Sequence, residues 1–267
     1  MNRMARQKAA IMEIENATLL RSIAGAVLED ISFQVNKGEF LSIIGASGTG
    51  KTTLLQAMAG LFPPASGKIL FLGEEVKKPR VELGLVYQNY ALFPWRTAIQ
   101  NVEFGLELRN MRRDKRRQMA AEALELMGLS HEDRDKFPVE LSGGMQQRVA
   151  IARELVNRPA VIMLDEAFSA LDVQTRHQLE KQMLHLQERL GITIILVTHL
   201  VEQALSLSDR ALVLSDGKIK KTISLSGRRP RDIDAPEFRK LLRETEELIK
   251  PTSKLDAFVK DLDSIRE

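Results

Sequence analysis

The run Gly45-Ala46-Ser47-Gly48-Thr49-Gly50-Lys51-Thr52-Thr53 constrains this chain more than any other stretch. Its spacing, Gly, four residues, Gly-Lys and then Ser or Thr, is that of a phosphate-binding loop. The chemistry requires these residue types. Glycines turn the backbone tightly enough to bring consecutive N–H groups against an anion. The helix that follows aims its positive end at the same place. In this reading Lys51 reaches the β- and γ-phosphates of a nucleotide, and the Thr52 hydroxyl ligates Mg²⁺. The flanks agree. Phe40-Leu41-Ser42-Ile43-Ile44 reads as a buried strand, and Leu54 to Ala59 as a helix that stops at Gly60. A glycine turn of no function has no need of that strand and helix.

A hydrophobic share of 44% and a charged share of 28% allow the 267 residues a full core without staples. There are no cysteines, which excludes a disulfide framework, a thiolate metal site and a cysteine nucleophile, and fits a reducing cytoplasm. Met1 to Lys8 is basic but leads into no long apolar stretch. It reads as a frayed terminus extending to about residue 10, not as a signal peptide. The apolar run Ile192 to Val197 is too short to span a bilayer, so a membrane role has to come through a partner. The net charge of +3 is mild, and its main concentration is Arg109 to Arg117. No aromatics interleave with these basic residues, so the run reads as a solvated helix start, with no direct nucleic-acid binding.

Three strands are expected before the loop, at Ile11 to Ile14, Leu28 to Val35 and Phe40 to Ile44. Two more follow a Pro-rich break, at Lys68 to Leu72 and Leu83 to Tyr87. From about Phe93 to Val156 the period turns helical. Thr97 with Gln100 is a capping-box signature, a second helix runs from Asp114 to Met127, and a third follows Ser142. Val161 to Leu164 is a buried strand, Val173 to Leu190 a helix ending at Gly191, and Ile192 to Val197 a strand. Val201 to Leu207 is a short helix, and Ser215-Asp216-Gly217 turns a hairpin. Alternating strands and helices predict an α/β fold with a mainly parallel sheet and active residues at the strands' carboxyl ends. The sequence thus divides into a domain over residues 11–225 and a tail over residues 226–267. In the tail Arg228 to Arg231 reads as a linker and Pro236 to Ile249 as a charged helix. Leu255, Phe258, Val259, Leu262 and Ile265 form an apolar stripe, expected to lie on the domain's own surface.

Four further stretches narrow the chemistry. The strand Val161 to Leu164 delivers two carboxylates. Asp165 is placed to hold Mg²⁺, and Glu166 to orient or deprotonate an attacking water. Leu141-Ser142-Gly143-Gly144-Met145 opens a helix with a serine cap and two glycines, a second anion site. Gln88 closes a strand with a neutral amide able to sense metal or water, and His199 closes another with an imidazole near the γ-phosphate. Any one of these alone could be structural, but their combined order is hard to obtain by chance.

Over roughly Met12 to Leu225 the chain resembles the nucleotide-binding subunits of ABC transporters. The phosphate loop resembles Walker A, and Val161 to Glu166 resembles Walker B with its catalytic glutamate. Ser142 to Met145 with Leu141 is similar to the ABC signature, Ser169 to Asp172 to the D-loop, Gln88 to the Q-loop and His199 to the H-loop. The resemblance implies a P-loop ATPase core with an N-terminal antiparallel β part and a helical insertion. Two subunits pair head to tail, as a homodimer or with a related chain. Each ATP lies between the loop Gly45 to Thr53 of one subunit and the signature of the other. Mg²⁺ is held by Thr52, Asp165 and Gln88. Transmembrane permease subunits and an extracytoplasmic solute-binding protein complete the importer, with this chain on the cytoplasmic face of the membrane. Where the family places an aromatic on adenine, a count from Ile14 reaches Arg21, whose guanidinium can stack. Met145 stands where Gln is commoner, and Leu200 where Asp is common. Phe93 to Thr97, Met145 and Arg229 to Asp232 resemble the nitrate/sulfonate/taurine import branch. Trp95, the one tryptophan, either fills the insertion's small core or lines the groove that receives a helix of the membrane subunit, and the resemblance favours the groove. The rival readings are a soluble ABC ATPase acting on nucleic acid and a regulatory nucleotide-binding protein.

Overall fold

A computed structural model describes residues 9–20, 26–169 and 171–249. Its strands form two sheets. The first is antiparallel, in the order β2 (Ala26–Asn36), β1 (Ala10–Leu20), β4 (Ser66–Phe71), β5 (Glu74–Glu75). The second has the order β10 (Lys218–Ser224), β9 (Arg210–Ser215), β3 (Phe40–Ile44), β8 (Thr193–Thr198), β7 (Val161–Asp165), β6 (Leu83–Val86). From β9 to β6 the second sheet is parallel, and β10 folds back antiparallel on β9. The expected α/β class, with a mainly parallel sheet and an N-terminal antiparallel β part, is therefore present.

Continuous apolar runs such as Val161 to Leu164 suit parallel strands because helices cover both faces of such a sheet. Successive residues of β3 enter different cores, since side chains alternate across a strand. Phe40 joins the cluster under the helical insertion, Leu41 and Ile43 the cluster under the antiparallel sheet, and Ile44 a third under the C-terminal helices. The helices are α1 (Lys51–Met58), α2 (Ala98–Leu108), α3 (Arg113–Leu126), α4 (Gly143–Leu155), α5 (Val173–Leu190), α6 (Val201–Leu207) and α7 (Pro236–Ile249). Local chemistry fixes their ends. The Gln100 side chain accepts from the Thr97 backbone N–H at 3.0 Å, Ser142 Oγ from Met145 N–H at 3.3 Å, and Asp172 from Thr175 N–H at 3.0 Å. Gly191 ends α5 in the left-handed region at φ 65°.

Three expectations change. The first strand continues well past Ile14, because Asn16 at φ 48° makes a bulge that interrupts the apolar alternation without ending the pairing with β2. The helix after the phosphate loop starts at Lys51, three residues before its first apolar position. Third, Arg228 to Arg231 is no loose linker. The Arg231 guanidinium donates to the carbonyls of Leu205, Ser206 and Ser208 at the end of α6, at 2.8–3.3 Å. Arg229 reaches Asp209 at 3.2 Å and Gln187 at 2.9 Å. These bonds seat α7, the charged helix expected over Pro236 to Ile249, whose Phe238 is buried with Val201, Leu205 and Ile223. The stripe from Leu255 onward lies outside the described residues. Three arginines of the basic run are paired: Arg116 and Arg117 both face Glu103 at 3.4 Å, Arg117 also Asp135 at 2.9 Å, and Arg112 pairs with Asp114.

Arg231→Ala strands the Leu205 and Ser208 carbonyls, while that of Ser206 keeps the Arg231 backbone N–H, and is expected to cost about 2–3 kcal/mol of stability in thermal or urea unfolding. Arg231→Lys, which lacks the planar fork, recovers only part of it. An Ala variant that unfolds like the parent would mean that the segment does not hold α7 in place.

Candidate functional site

Four parallel strands deliver the site along one edge of the second sheet. The register aligns Ile44 with Thr198, Asp165 with Val197, and Val86 with Leu164. The segments that leave β3, β8, β7 and β6 at their carboxyl ends therefore emerge side by side, at a strand spacing of about 4.8 Å. They carry the phosphate loop, His199, Asp165-Glu166 and Gln88 respectively.

The loop's shape depends on glycine at two points. A Cβ on Gly45 would fall 2.5 Å from the Leu214 carbonyl oxygen and 2.9 Å from Thr49 Oγ1, so β9 packs directly on bare backbone there. Gly50 has φ 89° and caps α1, a conformation that L side chains rarely adopt. Between them Ala46, Ser47, Gly48 and Thr49 form the crest, where Thr49 Oγ1 donates back to the Ala46 carbonyl at 2.9 Å. Thr53 follows in the first turn of α1. Lys51 is 5% exposed, and its Nζ donates to the carbonyls of Gly45 and Ala46 at 2.9 Å each, which centres the ammonium in the loop. Burial pushes its pKa below the ordinary value, while the carboxylates of Glu166 and Asp165 act against that.

Thr52 Oγ1 donates to Asp165 Oδ1 at 2.9 Å, across 113 residues of sequence. Asp165 is 5% exposed. Burial pushes its carboxyl up, the Thr52 hydrogen bond and Lys51 oppose this, and Glu166 adds to it. A hydroxyl and a desolvated carboxylate, both hard oxygen donors, fit a small divalent cation. Glu166 follows in the left-handed region at φ 46°. Its backbone is held there by Val197, whose carbonyl accepts its N–H at 2.9 Å, and by the Ser169 hydroxyl, which donates to its carbonyl at 2.8 Å. Two predicted residues converge on Glu166 Oε2: Gln88 Nε2 at 3.4 Å and His199 Nδ1 at 3.2 Å. Gln88 is thus hydrogen-bonded to the carboxylate of Glu166 and not to the Thr52–Asp165 pair.

The signature residues Ser142, Gly143, Gly144 and Met145 lie elsewhere, at the start of α4. Gly144 backs onto α5, where a Cβ would meet the Thr175 methyl at 2.8 Å. Among the described residues no hydrogen bond joins them to the phosphate loop. Asp172 has a task that the sequence reading overlooked, as the N-cap of α5, and the hydrogen bonds from Thr175 lower its pKa. Its place just before a helical period carried that signal. Arg21 lies outside the described residues. Sequence reasoning placed Ser169 in the D-loop without its hold on the Glu166 carbonyl, and missed Arg153 and Asn101, whose partners are backbone groups without residue identity. A cavity of about 720 Å³ adjoins His199 and Ala46, walled by Glu180, Gln203 and Arg231, while Lys51, Thr52 and Asp165 lie outside its walls.

The family model for ABC transporters matches residues 28–169. The chain is 41% identical over 244 residues to the nitrate import ATP-binding protein NrtD of Synechocystis sp., covering 88% of this chain and 91% of that one. It is 44% identical over 197 residues to the spermidine/putrescine import ATP-binding protein PotA of Oleidesulfovibrio alaskensis, covering 73% and 52% respectively. Among solved structures it resembles the dimeric post-hydrolysis state of the ATP-binding cassette MJ0796 bound to ADP and Pi. There the TM-score is 0.74 and the identity 31%, over 81% of this chain and all of that one.

Beside His199, Glu180 is buried and accepts from Gln203 Nε2 at 2.7 Å. Burial raises its pKa, and the Gln203 hydrogen bond and the nearby His177 and Arg176 only partly oppose this. A carboxyl raised on folding favours the folded state below its unfolded pKa and loses that advantage as pH rises through the folded value. The cost of ionising it in the fold therefore grows as pH rises above the unfolded value. Glu180→Gln is expected to raise the melting temperature at pH 7 by roughly 2–4 °C, with the gain vanishing below about pH 4, near the ordinary glutamate value. Thermal scans across pH decide it, and a gain independent of pH would point to packing.

Proposed function

The chain belongs to the ABC transporter family as an ATP-binding cassette, and on that premise we propose that it is the ATP-hydrolysing subunit of an importer for a small anion such as nitrate, sulfonate or taurine. The observation that carries the catalytic assignment is the convergence of Gln88 and His199 on one oxygen of Glu166, beside Lys51 and the Thr52–Asp165 pair. ATP phosphates are cradled by the backbone N–H groups of residues 45–53, with Lys51 supplying the positive charge. Mg²⁺ supplies neutralisation of the phosphate oxygens when bound, and Thr52 Oγ1 and Asp165 Oδ1 are the groups that would hold it, with Gln88 within the same edge. Glu166 orients the attacking water and takes its proton. Gln88 Nε2 and the His199 ring hold that carboxylate in place, and the imidazole stands where it can also meet the γ-phosphate. Ser142, Gly143, Gly144 and Met145 act on the nucleotide of a second ATPase subunit, identical or related, and Asp172 lies in the segment that faces that subunit.

Support for the anion branch is the near full-length correspondence with NrtD, together with the Phe93 to Thr97 and Arg229 to Asp232 stretches. PotA is as close in identity over its shorter match, so polyamine transport is the alternative outcome of a substrate test. Against a nucleic-acid machine stand the short insertion helices and a basic run three of whose arginines are already paired with carboxylates. Among the described residues no helix is long and apolar enough to cross a membrane. We place the chain peripherally on the cytoplasmic face, bound to transmembrane permease subunits and served through them by an extracytoplasmic solute-binding protein. The domain over residues 11–225 carries these contacts.

Trp95 is the candidate anchor for the permease. It is 71% exposed, with its indole only tilted against Phe93 at 5.6 Å, so it stands outside the insertion's core. Beneath it Phe104 takes the Phe93 ring edge-on at 4.7 Å, and the Arg96 guanidinium lies 4.8 Å over Phe104. A rigid base under an exposed aromatic is what an interface anchor requires.

Glu166→Gln keeps the side chain's shape but removes the base, and steady-state hydrolysis is expected to fall roughly 10²–10⁴-fold while ATP binding persists. Near-normal turnover by that variant would sink the catalytic assignment. Trp95→Ala should leave the isolated subunit folded and active but weaken its docking to the permease by about 2 kcal/mol, read by co-purification and transport in vesicles. Normal assembly and transport by that variant would remove Trp95 from the interface. In the same vesicles, uptake of nitrate or a sulfonate against spermidine distinguishes the two substrate classes.

A further inference from the structure

The loop that carries Gln88 and Trp95 is fastened to the rest of the molecule at few points, and one of them belongs to the helix that opens with the signature. In the last turn of α4, Arg153 donates to the Ala91 carbonyl at 2.6 Å and to the Tyr90 carbonyl at 3.0 Å. Its side chain is only 12% exposed. Tyr90 and Ala91 are consecutive left-handed residues, at φ 62° and 47°, which turns both carbonyls toward that guanidinium. The neighbouring Glu154 grips the strand that leads into the loop. Its carboxyl accepts from the Leu85 backbone of β6, and a Cβ on Gly84 would lie 3.2 Å from its own Cβ. Arg153 and Glu154 also pair, at 3.6 Å.

The opposite end of α4 meets the same loop. A Cβ on Gly143, in the signature, would fall 3.5 Å from the Tyr90 hydroxyl. Tyr90 therefore touches both ends of the helix: its carbonyl is held by Arg153 and its ring tip lies against Gly143. Two residues before it, Gln88 reaches Glu166. Farther along the loop, the buried Asn101 accepts from Phe93 N–H at 2.8 Å and donates to the carbonyls of Phe93, Arg96 and Thr97. The stretch between Asn101 and β6 can thus follow α4 through Arg153.

We propose that Arg153 and Tyr90 are positioning residues that tie the signature helix to Gln88. Movement of α4 when its signature engages the partner subunit's nucleotide is passed through Arg153 to the Tyr90–Ala91 carbonyls, and so sets Gln88 against Glu166. This rests on the catalytic reading of Glu166 and Gln88 given above. Neither residue touches substrate. Arg153 spans two carbonyls with a planar fork, which a lysine cannot reproduce.

The test uses the full chain with Mg-ATP and measures kcat, KM, monomer ATP affinity and melting temperature for Arg153→Met, Arg153→Lys, Tyr90→Phe and Gln88→Ala, alone and combined. Expected are a fall in kcat of roughly tenfold or more for Arg153→Met, an intermediate value for Arg153→Lys and a fall of a few-fold for Tyr90→Phe. Monomer ATP affinity should stay unchanged in the Arg153 and Tyr90 variants. The decisive result is non-additivity: with Gln88 already replaced, Arg153→Met or Arg153→Lys should lower kcat no further. Additive effects, or losses that follow melting temperature and ATP affinity together, would overturn the proposal in favour of a merely structural role. Should Arg153→Met fail to fold, Arg153→Lys and Tyr90→Phe carry the same comparison, and wild-type kcat in both would overturn it. Glu166→Gln serves as the control. If it hydrolyses ATP normally, the underlying site assignment fails; if it is inactive while the Arg153 and Tyr90 variants match the parent, only this inference fails.

Discussion

The hydrogen bond from Thr52 to Asp165 joins two parts of the chain that the sequence keeps 113 residues apart, and the chemistry of the molecule depends on that junction. It exists because β3 and β7 lie one strand apart in a parallel sheet, with β8 between them in fixed register. A slip of one residue in β7 would turn Asp165 toward the opposite face and leave a carboxylate in the apolar core. Such a slip is opposed by the whole of that core, since all three strands are buried on both faces. The hydrophobic interior thus sets the position of the charges at its edge. The charges in turn destabilise that edge, because Asp165 and Lys51 are both held partly out of water.

The same tension appears in the backbone at Glu166. A non-glycine residue at φ 46° is strained, and such strain persists only where the surroundings over-determine it. Val197 from the adjacent strand and Ser169 from the following turn supply those constraints. The left-handed turn aims the carboxylate across the strand ends toward His199 and Gln88. An extended residue would have continued the strand direction away from both. Strain here is the means by which one strand delivers two adjacent carboxylates to different tasks.

Much of this was legible in the sequence because it depends on short-range pattern. The phosphate loop, the cap at Ser142, the stop at Gly191 and the helix over residues 173–190 all follow from glycine, serine or apolar spacing within a few positions. The carboxyl-end placement of Gln88, Asp165, Glu166 and His199 follows from strand period alone. What stayed hidden depends on long-range geometry or on backbone acceptors. Arg231 read as linker because its partners are the carbonyls of α6, which carry no residue signature. Asn16 ended the expected first strand, since a bulge breaks alternation just as a turn does. The run from Arg109 to Arg117 looked like open positive charge, yet two of its arginines converge on Glu103, a residue buried on the neighbouring helix. Tyr90 and Ala91 gave no hint of their left-handed backbone.

The division of labour between the two halves of the fold bears on why the site asks for a partner. Every ionisable group of the candidate site leaves the rigid edge of the parallel sheet, whereas the signature opens a helix of the insertion. Within that helix Ser142 already serves its own chain: its hydroxyl accepts from Met145 N–H, and its carbonyl from Gln146 N–H. Helix geometry leaves the first N–H groups, those of Gly143 and Gly144, without partners inside the helix. Behind them Gly144 backs onto the Thr175 methyl, while the exposed Gly143 has only the Tyr90 hydroxyl nearby. Donors of this kind can serve only a ligand arriving from outside the chain. The phosphate loop, with Ser47 and Gly48 exposed at its crest, likewise presents its anion site outward. Two outward-facing half-sites of the same chemistry on one chain would be satisfied together in the head-to-tail pair proposed above, each half covering a nucleotide held by the other.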